Sequence, residues 1–317
     1  MLAPGTTLPG QAYINYGSQF INSTVAIRRE SVTTGAVSYG SGVLVNHASG
    51  IQLVLTAAHV LDSTSGMRPA NKLTVMVGTN YLNPDKAIKV KNYVHHPTYI
   101  VGSGLGTGSQ IDLALIILES KLVGIGVGMA TLPAQNNQPL SFAGYGQHGL
   151  SLESLQSKDG YLRGFQSMAM NPSGLFDDTI YNSSFTSTLM DSTYLGVAAN
   201  GDSGGGVFQN ASLHGVMVGA SPGTIIYVDL TSEVVTNFID GFVAQFQQPE
   251  VEISLFSSSI ALSFSELFPG REYRVMRSPT LSGWEEAHRF TAAASTGSWG
   301  EALAAGGSMF YKLEWDE

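Results

Sequence analysis

The sequence predicts an all-β protein: two barrel-like halves of similar length, one helix, and a smaller β module appended after it. Three observations carry this. Short β-compatible runs, punctuated by Gly, Asn, Ser and Pro, recur over residues 20–122 and again over 123–230. The period then changes to a helical one over 231–246. Strand-like runs return from Val251 to the end.

In the first half the expected strands are 25–27, 42–45, 52–55, 73–77, 87–94 and 112–118, each bounded by turn residues. The glycine-rich stretch 102–108 is expected to be a loop. In the second half they are 140–143, 161–166, 179–185, 205–208, 216–218 and 225–228. Over 231–246, Val234, Val235, Phe238, Ile239, Phe242, Val243 and Phe246 fall on one apolar stripe, with Thr231 or Ser232 placed to cap its start. Residues 247–250 read as a linker, giving expected domains 1–248 and 249–317. In the second domain, strands are expected at 251–256, 260–264, 273–276 and 310–315, and the three tryptophans Trp284, Trp299 and Trp315 are expected to fill a small β-sandwich-like core.

Composition excludes several functions. Charged residues are only 12% of the 317, and 43% are hydrophobic, which argues against disorder. Fifteen Lys and Arg against 24 Asp and Glu give a net charge of −9 with no basic run, a poor basis for binding nucleic acid or an anionic membrane surface. No apolar run approaches a membrane span. Cysteine is absent, which removes disulfides, thiolate metal sites and cysteine nucleophiles. The adjacent His95 and His96 would point to opposite faces of a strand, so no metal site is expected. Residues 1–10 carry neither a charged nor an apolar signal region, while the low charge and abundant Ser, Thr, Gly and Asn suit an exported protein, secreted or periplasmic.

Three stretches carry chemistry. Thr56-Ala57-Ala58-His59-Val60 follows a strand, Asp112-Leu113-Ala114-Leu115-Ile116 opens one, and Gly201-Asp202-Ser203-Gly204-Gly205-Gly206 is a glycine-rich loop before another. A serine hydroxyl is a weak nucleophile and needs a base. An imidazole serves near neutral pH, and a carboxylate fixes its tautomer and stabilises the imidazolium. Glycines beside the serine let backbone N–H groups converge on an oxyanion.

The three stretches, in the order His, Asp, Ser, resemble the trypsin/chymotrypsin-type serine endopeptidases. Gly144-Tyr145-Gly146 and His96-Pro97-Thr98-Tyr99 also resemble segments of that family, and the likeness covers roughly residues 20–246. It implies two six-stranded antiparallel barrels of the chymotrypsin type with a C-terminal helix. It implies Ser203 as nucleophile, His59 as general base, Asp112 as its orienting carboxylate, and the N–H groups of Gly201 and Ser203 as the oxyanion hole. It implies a polypeptide substrate and no cofactor.

Two departures are visible. The family pairs the aspartate at Asp202 with an N-terminal ammonium released by cleavage, yet no basic residue precedes Arg28. Either processing lies upstream or another group meets Asp202. The resemblance also places Val197, Val218, Gly219, Ala220 and Ile225 at the substrate pocket. Valine at 197 removes an acidic anchor for Arg or Lys substrates, Val218 removes a usual hydroxyl partner of Asp112, and a branched Ile225 narrows the pocket, so cleavage after small or medium apolar residues is expected. The alternative is a non-catalytic binding or adhesion protein on the same fold, and the C-terminal module is either a passive appendage or a binder of a surface or partner.

Overall fold

This computed structural model describes residues 10–32, 34–61, 72–100, 110–135, 137–149, 158–170, 180–184, 194, 196, 198–221, 224–246, 249–302 and 309–315. They fall into two compact units, Met1–Phe238 and Ile239–Glu317. The division lies inside the long helix, earlier than the linker expected at 247–250.

The first unit opens with α1 (Gly10–Gly17), an element the strand patterns do not announce. Its eight residues have no acidic first turn and no basic last turn, so packing rather than propensity holds it. Tyr13 is buried, and the Tyr16 ring stacks on Tyr194 at 4.4 Å while its hydroxyl meets that of Ser141 at 2.7 Å.

β1 (Thr24–Glu30), β2 (Val37–Asn46), β3 (Gln52–Thr56), β4 (Lys72–Val77), β5 (Lys86–His95) and β6 (Ala114–Leu118) close an antiparallel barrel in the order β1-β2-β3-β6-β5-β4. β7 (Pro139–Gly144), β8 (Arg163–Met170), β9 (Ile180–Ser184), β10 (Gly206–Gln209), β11 (Ser212–Ser221) and β12 (Thr224–Asp229) close a second, in the order β10-β11-β12-β9-β8-β7. All twelve strands expected from the alternating patterns are present. Closure removes the free edges that open sheets leave.

Each barrel is filled by its own inward side chains. The first core contains Val25, Ile27, Leu44, Val54, Val75 and Ile116. The second contains Phe142, Phe165, Val207, Met217, Ile225 and Tyr227, with Phe142 and Phe165 stacked at 5.0 Å. The segment between β6 and β7 pairs with both barrels, Val127 bridging Val45 and Met129 bridging Leu213, while the Ser41 N–H of β2 donates to the Ser203 carbonyl in the loop before β10.

α3 (Glu233–Val243) follows β12. At its start the carbonyl of Ser232 accepts the N–H groups of Val235 and Thr236, and Asp229 Oδ1 accepts both the N–H and the hydroxyl of Thr231.

The second unit contains two three-stranded sheets. β13 (Glu250–Leu255), β14 (Ser259–Ser265) and β17 (Gly297–Ala302) form one; β16 (Glu285–Thr291), β15 (Glu272–Ser278) and β18 (Phe310–Trp315) form the other. Ile260, Leu262, Phe264, Leu267, Tyr273 and Val275 make its core, with Trp299 and Trp315 packed against it. Trp284 departs from the expectation that all three tryptophans fill this core. It lies outside that cluster, under the Lys312 ammonium at 4.5 Å from the ring centre, in a cation–π contact.

Candidate active site

β3 is buried along its whole length, and the chain turns from it directly into α2 (Ala58–Leu61), which carries His59. Asp112 lies two residues before β6 and is buried. The His-Pro-Thr-Tyr segment shows why it accompanies the aspartate. The His96 N–H donates to the Leu113 carbonyl at 2.8 Å, the Thr98 hydroxyl accepts the Ile111 N–H at 3.0 Å, and the His96 Nδ1 holds Thr98 Oγ1 at 2.9 Å. The residues on both sides of Asp112 are therefore pinned by this turn. Burial lowers the pKa of His96, keeping it neutral as a structural residue.

The Asp112 carboxylate spends both oxygens on His59. Oδ1 accepts the His59 backbone N–H at 3.0 Å and Oδ2 accepts the ring Nδ1–H at 2.6 Å. The ring is thereby fixed in the tautomer that leaves Nε2 as a base. The carboxylate side chain is 9% exposed and the imidazole 36%, so the carboxylate is shielded while the imidazole stays accessible.

Ser203 is half-buried in the loop before β10. Its carbonyl accepts the Ser41 N–H at 2.9 Å, which ties the loop of the second barrel to β2 of the first. Gly204 has φ +85°, and a Cβ there would collide with the Ser41 carbonyl oxygen and the Thr56 hydroxyl, three residues before His59. The glycine thus allows the serine loop to lie directly against the segment that carries the histidine.

Asp202 is buried and points inward. Its Oδ1 accepts the Gly146 N–H at 2.8 Å and its Oδ2 accepts the Ala199 N–H at 2.9 Å. A Cβ on Gly144 would lie 2.7 Å from Asp202 Oδ1, and one on Gly146 would lie 2.5 Å from its carboxyl carbon. The Gly-Tyr-Gly motif is therefore the space the carboxylate occupies. Tyr145 between them is buried, donates its hydroxyl to the Gly78 carbonyl at 2.6 Å, and is held protonated by burial, which raises its pKa.

Ser41 is a residue the motifs do not reveal. It is fully buried; its hydroxyl donates to the Gly201 carbonyl at 2.8 Å and accepts the Tyr145 N–H at 2.9 Å. Thr56 in turn donates to the Ser41 carbonyl at 2.8 Å. Ser41→Ala leaves two buried backbone groups without that partner. The expected loss is about 1–3 kcal/mol of unfolding free energy, measured by urea denaturation.

Of the pocket residues expected from sequence, Val197 lies outside the described residues. Val218 is buried at a bulge between Met217 and Gly219. Gly219 is half-buried and Ala220 exposed. Ile225, expected to narrow the pocket, has no exposed surface and belongs to the core of the second barrel with Met217, Tyr227, Ala198 and Tyr13. Among the described residues no group of three or more His, Asp or Glu side chains forms a metal site.

Two closed six-stranded barrels meeting beside these loops define the chymotrypsin-like fold class. The family model described as Trypsin matches residues 21–235, more than half of the chain, and the chain belongs to that family. No curated protein sequence matches it. Among solved structures it is similar to neuropsin, a serine protease expressed in the limbic system of mouse brain, at 20% identity and TM-score 0.52, covering 70% of this chain and 94% of that one. It is similar to the scabies mite inactivated protease paralogue S-I1 at 16% identity and TM-score 0.52, covering 71% and 95%. The scabies mite inactivated paralogue S-D1 follows at 13% identity and TM-score 0.51, covering 72% and 95%. At these identities the likeness is one of fold.

Proposed function

We propose that this chain is an exported serine endopeptidase working through Ser203, His59 and Asp112. The observation that supports it best is the double hold of Asp112 on His59, at 3.0 and 2.6 Å, which spends a buried carboxylate on orienting one accessible imidazole. A purely structural histidine needs no such arrangement.

In this reading the Ser203 hydroxyl attacks the scissile carbonyl carbon while His59 Nε2 takes its proton. The oxyanion accepts N–H groups from Gly201 and Ser203, each worth roughly 3 kcal/mol of transition-state stabilisation. His59 then returns the proton to the departing amine, leaving an acyl-serine. Water, deprotonated by the same imidazole, hydrolyses the ester and regenerates the serine. The Asp112 carboxylate stabilises the imidazolium.

For substrate choice, the resemblance sets apolar residues at positions assigned to the pocket. With Val197 and Val218 in place of polar groups and Ile225 filling the core beneath, the pocket takes small or medium apolar side chains at the position before the cut. A peptide library should return Ala, Val or Leu at that position. A profile dominated by Arg or Lys would overturn this specificity.

The second reading, a non-catalytic binder, is favoured by one observation: two similar structures are described as inactivated paralogues. Against it, this chain keeps serine, histidine and aspartate at all three positions.

A further inference from the structure

Asn200-Gly201 is the one Asn-Gly pair in the sequence, and it stands immediately before Asp202 and Ser203. Position 201 needs glycine. Its φ is +98°, and a Cβ there would collide with the side chain of Lys158, whose Nζ donates to the Tyr39 carbonyl at 2.6 Å. Asn200 is under no such constraint. It is exposed, and its side-chain amide makes no hydrogen bond among the described residues. The Gly201 N–H is likewise unbonded among them. The backbone on either side is held. The Asn200 carbonyl accepts the Gln147 N–H at 2.9 Å, and the Gly201 carbonyl accepts the Ser41 hydroxyl at 2.8 Å.

A backbone nitrogen reaches a preceding asparagine side chain most readily when it belongs to glycine, which puts no Cβ in the way. We infer that Asn200-Gly201 is a self-modification site, which deamidates and thereby withdraws the Gly201 N–H from the oxyanion hole. The modification needs only the free amide, the unbonded N–H and the glycine; its effect on turnover rests on the catalytic reading above.

The steps balance with water alone. The Gly201 nitrogen loses its proton to solvent base and attacks Asn200 Cγ. A bond forms from Cγ to that nitrogen, the bond from Cγ to the side-chain nitrogen breaks, and ammonia leaves. The product is a five-membered imide whose nitrogen carries no hydrogen, so the donor is lost outright. Water then opens the ring. Attack at Cγ gives an ordinary aspartyl residue and restores the donor. Attack at the main-chain carbonyl gives an isoaspartyl link. There the N–H returns on a chain lengthened by one methylene, and the carbonyl held by Gln147 has become a free carboxylate. With Gly201 still tied to Ser41, the donor cannot regain its place. Imide and isoaspartyl chains are expected to lose roughly 10²–10³ in kcat, the worth of one oxyanion donor.

The test ages the full chain at mildly alkaline pH, beside a mildly acidic sample. Peptic fragments carrying position 200 are weighed and separated, and kcat is followed on a chromogenic peptide. The attack is base-promoted, so the alkaline sample should lose ammonia and then gain water at position 200. Its kcat should fall in step with the imide and isoaspartyl fraction, with KM unchanged in what remains. Asn200→Gln, whose longer side chain has to close a six-membered ring, is expected to hold its mass and its own starting rate. Ser203→Ala, which cannot digest itself, is expected to age by mass as wild type does. An unaltered position 200 in the alkaline sample would overturn the inference. So would a largely isoaspartyl chain with full kcat, or an Asn200→Gln chain that decays as fast as wild type. Failure of the catalytic reading is separately visible: fresh wild type would neither turn over nor take a fluorophosphonate label, while the masses still decide the modification.

Discussion

Ser203→Ala is expected to lower peptide hydrolysis by about 10⁶, the loss seen when a serine that acts as a unit with its base is removed. Folding should be untouched. The serine hydroxyl contributes no hydrogen bond to the loop's attachment, which runs through backbone groups: Ser41 N–H to the Ser203 carbonyl, Gly204 N–H to the Met217 carbonyl, and Gly205 N–H to the Asp202 carbonyl. The variant should therefore match wild type in its thermal midpoint to within a degree or two, which corresponds to less than about 0.5 kcal/mol. Steady-state hydrolysis of a peptide ester and a thermal scan on the same samples check both halves. Substantial activity remaining in a folded Ser203→Ala chain would move the nucleophile elsewhere.

Asp112→Asn is expected to lower kcat by roughly 10⁴ while leaving the fold in place, the order of loss that follows when the carboxylate orienting a catalytic imidazole becomes an amide. The cause here is specific. Asparagine cannot accept at both positions: one atom remains a carbonyl oxygen and the other becomes an NH₂ donor. If the amide oxygen keeps the His59 backbone N–H, the NH₂ faces ring Nδ1. That nitrogen must then accept, and the proton shifts to Nε2, the atom required as base. The defect should fall in kcat rather than KM, because Asp112 touches neither pocket rim nor substrate. A measured loss of less than 10-fold would mean that His59 does not depend on this carboxylate for its tautomer.

The strands were legible because each is a local matter. A run of alternating or wholly apolar residues between turn signals forms a strand almost wherever it is placed, and both barrel cores follow from those alternations. The helix at Glu233–Val243 was legible for the same reason, through its apolar stripe. α1 was not. Its eight residues carry no cap signal and too few turns to show a period, and Tyr16 finds its hydroxyl partner in Ser141, 125 residues away. Trp284 illustrates another limit: a large aromatic reads as core material until a lysine distant in sequence, Lys312 on β18, meets its ring.

The candidate site divides in the same way. Histidine, aspartate and serine announce themselves because each needs a particular residue type inside a recognisable local setting. The residues that brace them do not. Ser41 meets Gly201 across 160 residues, and Lys158 meets the Tyr39 carbonyl across 119. Neither sits in a motif, and a serine in a strand or a lysine in a loop has many bland uses. Their roles arise only when two barrels close and one loop is pressed between them. The glycines of Gly144-Tyr145-Gly146 lie between these cases: the pattern is visible in sequence, but its reason, the volume of the Asp202 carboxylate, is three-dimensional.

The most direct test is the crystal structure of the protein after reaction with a peptidyl fluorophosphonate. A phosphonyl group bonded to Ser203 Oγ, with its oxygen about 2.7–3.1 Å from the N–H groups of Gly201 and Ser203 and His59 Nε2 beside the ester, is the predicted result. An unmodified Ser203 in well-ordered crystals, or an adduct whose oxygen faces away from Gly201, would contradict the account.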